Sequence, residues 1–300
     1  MVAGMNPQSP LSRARRRLKH DRAALFGIVV LLLLALGAGL APFLAPDPET
    51  LDLSAIYAAP SMDHWLGADE LGRDVLARLL NGARVSLAVA AATALLAALI
   101  GTSLGLLAGY YGGRLDAALM RITDGVMALP LLPLLIVLAA IDPSKLGIAP
   151  ETLGSEDFAI GRIVLIIGLV GWTTVARLVR AQTLSIKARD YVRAATAIGA
   201  GPGRIMRRHI LPNVASPIVV ATTLSIGNII LIESALSFLG LGIRPPLASW
   251  GNMLTGAMNV VWSAPEQALW PGLAIFLTVL AFNLVGDGLQ RALDPRGEEG

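Results

Sequence analysis

The chain contains no cysteine among its 300 residues, and only 15 % of its residues are charged. The absence of cysteine excludes a disulfide framework, a thiol nucleophile and a cysteine-ligated metal site. Soluble globular proteins carry about a quarter charged residues. Because 55 % of the residues are hydrophobic and the mean hydropathy is +0.66, the low charge indicates a membrane protein.

Metal-ligand patterns are also missing. The three histidines lie in three different segments, and neither an HExxH nor an EF-hand spacing is present. These histidines are His20, His64 and His209. We therefore expect no metal site and no metal-dependent catalysis in this chain.

The sequence also lacks a nucleotide-binding P-loop. A phosphate-binding P-loop needs a lysine directly after a glycine, because that lysine reaches the phosphates. The lysines are Lys19, Lys145 and Lys187, and none follows a glycine. We expect no cofactor bound directly to this chain, so any ATP and Mg²⁺ that the protein depends on would bind to another subunit.

Six long apolar runs organise the chain, each near the ~20 residues that a helix needs to cross a bilayer. They predict an all-α membrane protein with about six transmembrane helices. The segments that follow from them are 1–22 (basic), 23–46 (first transmembrane helix), 47–85 (a polar segment with an amphipathic helix), 86–290 (the core, with a polar loop at 181–213) and 291–300 (the tail).

The charges predict the orientation. Basic residues concentrate in the N-terminal segment, in the loop 181–213 and in the tail, whereas segment 47–85 carries seven acidic residues. Cytoplasmic loops are enriched in lysine and arginine, so both termini and the loop are predicted to be cytoplasmic. This topology also explains the net charge of +3 without nucleic acid as a partner.

Glycines recur every four residues in the second span, at Gly101, Gly105 and Gly109. Such a face predicts close packing against a neighbouring helix. The stretch also spells a formal G-x-S-x-G around Ser103, which would suggest an intramembrane hydrolase. A nucleophile elbow requires a strand before the serine, and this serine lies inside an apolar helix, so we favour helix packing.

Polar and proline residues inside the spans suggest a translocation path. Pro130 and Pro133 should kink the third span, and broken helices often line a path in transporters. Asn228 and Glu233 lie in the fifth span, where polar groups are functional candidates. The path residues are therefore predicted to be Pro130, Asn228 and Glu233, although a packing kink and an interfacial or pairing role for Glu233 remain as alternatives.

The stretch from residue 191 to residue 213, YVRAATAIGAGPGRIMRRHILPN, is polar between two apolar spans. Gly199 or Gly201 can take the left-handed conformation that ends a helix. Pro202 suits the first turn of a second helix, which Pro212 is predicted to end. The stretch therefore predicts two short helices joined by a tight corner at the membrane face.

This stretch resembles the EAA loop of ABC-importer permeases, through Arg193-Ala194-Ala195, Gly199 and Leu211-Pro212. It departs from the pattern because Arg193 replaces the acidic residue and His209 stands in the position of an isoleucine. The segment from His64 to Leu87 is similar to the one before the second span in C-type subunits of dipeptide, oligopeptide and nickel permeases. Together the two resemblances cover most of the chain from residue 23 onward.

The resemblance implies a type I ABC-importer permease fold in a bacterial or archaeal cytoplasmic membrane. It implies as partners a second permease subunit in a heterodimer, two cytoplasmic ATPase subunits that bind ATP and Mg²⁺, an extracytoplasmic substrate-binding protein, and membrane lipid. The residues expected to couple to the ATPases are Arg193, Ala194, Ala195, Gly199, Gly201, Arg204, Arg207, Leu211 and Pro212.

The expected function is a non-catalytic subunit of a di- or oligopeptide importer. Nickel chelates and glutathione remain alternative cargoes. A stand-alone secondary transporter is a different class of alternative, but such proteins usually carry ionisable residues near the bilayer midplane. The second, fourth and sixth spans show no acid there, and no inverted repeat relates the two halves of the chain.

Overall fold

A computed structural model describes residues 16–44 and 47–293. Within these residues the chain is helical between connecting loops, with one isolated antiparallel bridge between Ala68 and Asp74. The helices are α1 (Arg22–Leu44), α2 (Val75–Tyr111), α3 (Gly113–Ala128), α4 (Leu131–Ala140), α5 (Glu156–Lys187), α6 (Asp190–Ala197), α7 (Pro202–Phe238), α8 (Trp250–Met258) and α9 (Glu266–Leu293). Two single turns, Pro143–Leu146 and Pro150–Leu153, connect α4 to α5.

The predicted six-span, all-α architecture is confirmed. Helices α1, α2, α5, α7 and α9 are each long and apolar enough to cross a membrane. The pair α3 and α4 forms a sixth span if the two are taken together, with an angle of 90° between them. The third apolar run thus has a much sharper break than a kink.

Pro130 is the cause of this break, and Pro133 is not. The residue before a proline is pushed out of the helical region, and Leu129 has the extended conformation, with φ −79° and ψ 137°. Pro133 is the third residue of α4, where a backbone N–H would have no partner within the helix. The predicted kink at Pro130 is therefore confirmed, and the one at Pro133 is wrong.

Helix α2 unites the predicted amphipathic helix with the second span. It begins at Val75 and continues without interruption to Tyr111. The Asp74 side chain caps it by accepting the Ala77 N–H at 2.7 Å. The helical spacing of apolar residues in the sequence begins at Leu71, but Leu71 lies in the turn before the cap.

Helices α2 and α5 pack with their backbones in contact along the glycine face of α2. A Cβ atom on Gly101 would lie 2.6 Å from the Trp172 carbonyl oxygen, and one on Gly105 would lie 2.6 Å from that of Ala176. Gly109 meets Thr183 in the same way. The predicted small-residue packing is confirmed, and the glycine series shows that α2 and α5 run parallel.

The Ser103 side chain forms a hydrogen bond within α2. Its hydroxyl donates to the Leu99 carbonyl at 2.8 Å, within α2 itself. A serine that bonds back to its own helix is a common arrangement in apolar helices. The contact supports the packing interpretation of the G-x-S-x-G pattern.

Ion pairs join α3 to α5 next to this packed face. Arg180 Nη2 lies 2.6 Å from Asp116 Oδ2, and Arg177 pairs with Asp124. In the sequence, the position of Asp116, Arg121 and Asp124 near the start of the third span indicates snorkelling or mutual pairing. The partners of Asp116 and Asp124 lie on α5 instead, so the pairs fasten the bent span to the α2–α5 unit.

The ends of the helices define two ends of the bundle. The Lys187 ammonium donates to the Tyr110 carbonyl, which places the ends of α2 and α5 together. Helix α9 runs antiparallel to α7, and Arg291 near its end pairs with Asp21, just before α1. We call this end, where α7 begins, the corner end, and the opposite end, where α8 lies, the far end.

We expect Gly105→Ala to destabilise the protein, because its Cβ would meet a backbone oxygen that cannot move aside. Overpacking of this kind typically costs about 1–3 kcal/mol. The measurement is the thermal unfolding of the purified protein in detergent.

Gly39→Ala is the matched control. It also lies in an apolar helix, but a Cβ there meets nothing within 4 Å. Alanine favours a helix over glycine by about 1 kcal/mol, so this variant should be at least as stable as the parent. Equal stability of the two variants would contradict the backbone contact between α2 and α5.

Candidate functional site

The polar stretch forms a corner between α6 and α7, and Gly199 makes the turn. Its φ of +84° lies in the left-handed region that favours glycine. The Ala200 N–H donates to the Ala195 carbonyl, and the Gly199 N–H donates to that of Thr196, both at 3.0 Å. This pair of bonds is the Schellman pattern that ends a helix. Of the two glycines proposed for the turn, the structure selects Gly199.

Helix α7 restarts the chain immediately after this turn. Pro202 occupies its first turn, where the missing N–H costs nothing. The Gly201 carbonyl accepts the N–H groups of Arg204 and Ile205, at 3.0 and 3.1 Å. The corner is therefore closed by backbone bonds on both sides.

An apolar core fixes the corner to the bundle. Its buried members come from α5, α6 and the first turns of α7, and they are Ile186, Val192, Ile205, Ile210 and Val214. Leu106 and Tyr110 of α2 pack against them. The corner thus contacts three long helices and moves with them rather than as a separate loop.

Helix α7 is longer than a membrane span requires. Its 37 residues correspond to about 55 Å at 1.5 Å per residue, whereas the hydrocarbon core is about 30 Å thick. The helix is therefore longer than the apolar layer, and we expect its basic first turns, with Arg204, Arg207 and Arg208, to be the part that extends beyond it.

Pro212 does not end α7, so that prediction is wrong. The helix passes through it by means of a π-helical turn, Met206–Ile210. Proline has no N–H for the carbonyl four residues earlier. The chain accommodates this by widening one turn, and the Leu211 N–H bonds to the Met206 carbonyl five residues back.

The predicted coupling residues fall into two groups. One group is exposed on the corner and comprises Arg193, Ala194, Gly199, Gly201, Arg204, Arg207 and Pro212. Leu211 is partly buried, and Ala195 is buried. Ala195 therefore packs inside this chain, and of the two alanines Ala194 is the one that faces outward. A coupling role for these residues stays a prediction.

Gly199 is required for its conformation rather than for packing within this chain. A Cβ at this position would meet nothing within 4 Å. The strain of φ +84° in any other residue type is the reason for glycine here. His209, one of the two departures from the EAA-loop pattern, has its ring 6.4 Å from the Tyr191 ring, with an angle of 46° between the ring planes.

Ile198 is a surface feature that sequence reasoning missed. It caps α6 directly before Gly199, and 87 % of its surface is exposed. It is unusual for a large apolar side chain to be this exposed at the tip of a basic corner. Exposed apolar groups often mark contact sites. The arginines around it, Arg193, Arg204, Arg207 and Arg208, are all exposed.

The three predicted path residues lie in different environments. Pro130 is exposed at the break between α3 and α4, and Asn228 is exposed on α7. Glu233 is 0 % exposed and accepts hydrogen bonds from serine hydroxyls inside the bundle. A role in the path stays a prediction for all three, and in this conformation Glu233 faces no open surface.

A buried cluster of charges at the far end was also missed. Asp69 accepts from Arg73 at 2.8 Å and from Arg78 at 2.9 Å, and Asp74 lies 3.0 Å from the His64 ring. The spacing of four between Asp69 and Arg73 was a signal for this pairing. The acids of segment 47–85 are thus partly structural. Across the described ranges 16–44 and 47–293, no group of three or more acidic or histidine side chains is placed to hold a metal ion.

The spans define a multi-pass membrane protein. A crystal structure of an amino acid ABC transporter with histidines matches this chain with a TM-score of 0.52 and 17 % sequence identity, over 70 % of this chain and 91 % of that one. At this identity the likeness concerns the fold alone.

The sequence establishes the family. Residues 101–298 match the model of the binding-protein-dependent transport system inner membrane component, and the chain belongs to this family. Residues 9–60 also match the N-terminal TM domain of oligopeptide transport permease C. The suggestion drawn from the EAA-like loop is thereby confirmed.

Similar proteins carry names of several transport systems. A glutathione transport system permease protein of Pectobacterium atrosepticum is 44 % identical, over 94 % of this chain and 89 % of its own length. A dipeptide transport system permease protein of Bacillus subtilis is 42 % identical over 94 % and 85 %. An oligopeptide transport system permease protein of the same species is 37 % identical over 94 % and 88 %.

We expect Gly199→Ala to loosen the corner, because alanine pays about 1 kcal/mol in the left-handed region. Hydrogen exchange at the backbone amides of α6 should become faster. Gly203→Ala is the control, since Gly203 has no positive φ and a Cβ there meets nothing within 4 Å. Equal exchange in both variants would show that the conformation of Gly199 does not hold the turn.

Proposed function

We propose that the chain is the membrane subunit of an ATP-driven importer of di- or oligopeptides, and that the corner is the element on which the ATPase acts. The exposed, basic corner with Ile198 at its tip is the observation that carries this proposal. The family description and the names of the relatives support the transport role. The orientation with the corner in the cytoplasm is supported by its arginines.

The partners follow from the same proposal. A second permease subunit completes the membrane portion as a heterodimer, two cytoplasmic ATPase subunits bind ATP and Mg²⁺, and a binding protein delivers cargo on the other side. This chain is non-catalytic, since ATP hydrolysis takes place on the ATPases. The location is the cytoplasmic membrane of a bacterium or archaeon, in agreement with the description of the family as an inner membrane component.

The corner is built to transmit displacement. Its core joins the ends of α2 and α5 to the start of α7, so a push on α6 reaches all three helices. Closure of the ATPase pair would therefore rock these helices together and switch the access of the translocation path from one side of the membrane to the other. The exposed arginines add ionic contacts to an ATPase, or attraction to anionic lipid at about 1 kcal/mol each.

We expect Ile198→Asp to abolish co-purification of the ATPase, because a carboxylate replaces the apolar tip that enters the partner. The measurement is the amount of ATPase recovered with tagged permease from cells that express the complete transporter. Met62→Asp is the control, since Met62 is equally exposed, at 92 %, but lies in the far-end segment.

The outcome distinguishes the classes of transporter. Undiminished ATPase recovery with Ile198→Asp would contradict docking at the corner. If uptake continued in cells that lack the ATPase, a stand-alone secondary transporter would replace the importer.

Glutathione is the second candidate cargo, because a glutathione system permease is among the similar proteins, at 44 % identity. We expect uptake of di- and oligopeptides by membrane vesicles that contain the complete transporter and its binding protein. The panel includes glutathione and a nickel chelate, and vesicles without ATP are the control. ATP-dependent uptake of only one of these two would replace the peptide proposal with that cargo.

A further inference from the structure

Glu233 lies at the junction of α2, α7 and α8, and the corner mechanism gives it no role. Its side chain is 0 % exposed. A carboxyl group buried inside an apolar bundle is costly unless hydrogen bonds satisfy it. The groups that satisfy it come from elements far apart in the sequence, so its contacts are the place to seek its function.

Two serine hydroxyls connect the carboxylate to the backbone of the far end. The Trp250 N–H donates to Ser86 Oγ at 3.3 Å, and Ser86 Oγ donates to Glu233 Oε2 at 3.2 Å. The Ile243 N–H donates to Ser237 Oγ at 2.9 Å, and Ser237 Oγ donates to Glu233 Oε1 at 2.7 Å. Each oxygen of the carboxylate thus ends one relay that begins at a backbone N–H, and Oε2 also accepts from the Ser234 hydroxyl at 3.5 Å.

The chemistry of these relays requires two acceptor oxygens at position 233. A serine hydroxyl that accepts an N–H must send its single proton elsewhere. The two carboxylate oxygens accept the hydrogen bonds that these two hydroxyls donate. A glutamine offers one acceptor oxygen and a donating NH₂ group, so one of the two serines would meet a donor where it needs an acceptor.

The relays hold α8 in a closely packed position. A Cβ on Gly251 would lie 2.5 Å from the Ser234 carbonyl oxygen of α7, and one on Gly82 of α2 would lie 3.3 Å from the Trp250 nitrogen. The Trp250 indole N–H also donates to the Leu79 carbonyl at 3.1 Å. The first turn of α8 therefore fits between two spans, and the hydrogen bonds that reach Glu233 fix its direction.

We propose that Glu233 is a positioning residue that latches α8 onto α2 and α7, so that the three helices move as one unit when the corner is displaced. The contribution to transport rests on the proposed function, whereas the latch itself does not. On this view Glu233 contacts neither cargo nor nucleotide, and its earlier assignment to the path is replaced by a mechanical role.

The test uses the absence of cysteine from the chain. Ala257 of α8 is 3 % exposed, so a single Ala257→Cys thiol should react slowly with a maleimide while α8 is docked. The labelling is done in opened membranes from cells that express the complete transporter. We expect Glu233→Gln to raise the labelling rate about tenfold, because an unsatisfied buried polar group shifts a local equilibrium by a factor of that order.

Three further variants make the result specific. Met258→Cys, at an exposed neighbouring position, should label rapidly with or without Glu233→Gln. Ser225→Ala removes a hydroxyl on α7 that donates only to the Thr222 carbonyl of the same helix, and it should leave Ala257→Cys labelling unchanged. Ser86→Ala removes one relay, and its effect should not add to that of Glu233→Gln.

An unchanged labelling rate in Glu233→Gln overturns the latch. If that variant does not accumulate in membranes, Ser86→Ala decides alone, and an unchanged rate there overturns the latch equally. ATP-dependent uptake by Glu233→Gln should fall about tenfold while the ATPase still co-purifies. Full uptake with a released α8 would overturn the role in transport, whereas failure of the parent transporter to carry any peptide would refute the cargo and leave the labelling result standing.

Discussion

The contact between the backbones of α2 and α5 is the constraint on which the rest of the fold depends. Gly101, Gly105 and Gly109 allow the two helices to approach so closely that a single methyl group would not fit. Without a hydrophobic effect between helices in lipid, such van der Waals contact is what holds spans together. Because α2 and α5 both reach the corner core at one end, their contact gives the corner a rigid base.

Different interactions stabilise the two ends of the bundle. At the corner end an apolar core lies beneath an exposed basic surface. The proposed contact with the ATPase uses this surface. At the far end buried charges and hydroxyls are added to the apolar packing around Trp250, with Asp69 between two arginines and Glu233 among serine hydroxyls. Hydrogen bonds are directional, so they fix the relative orientation of the helices at the far end. The apolar core at the corner end holds its helices by close packing instead.

The sequence predicted those features that depend on residues close together in the chain. The spans, the glycine face, the break at Pro130 and the turn at Gly199 follow from run length, small-residue spacing and backbone conformation. The prediction failed at Pro212, since a proline is typical of a helix end, whereas the π turn just before it lets this helix continue. The surroundings of Glu233 were beyond the sequence because Ser86 lies 147 positions away.

The π turn in α7 has a consequence for how the family can vary. One residue in an α-helix corresponds to a rotation of about 100° and a rise of 1.5 Å. The turn at Met206–Ile210 contains one residue more than a regular helix would. Loss of a single residue there would rotate the corner by that angle relative to everything beyond Pro212. Substitutions in this turn are therefore local changes, whereas a deletion would change the phase between the corner and the rest of the membrane helix.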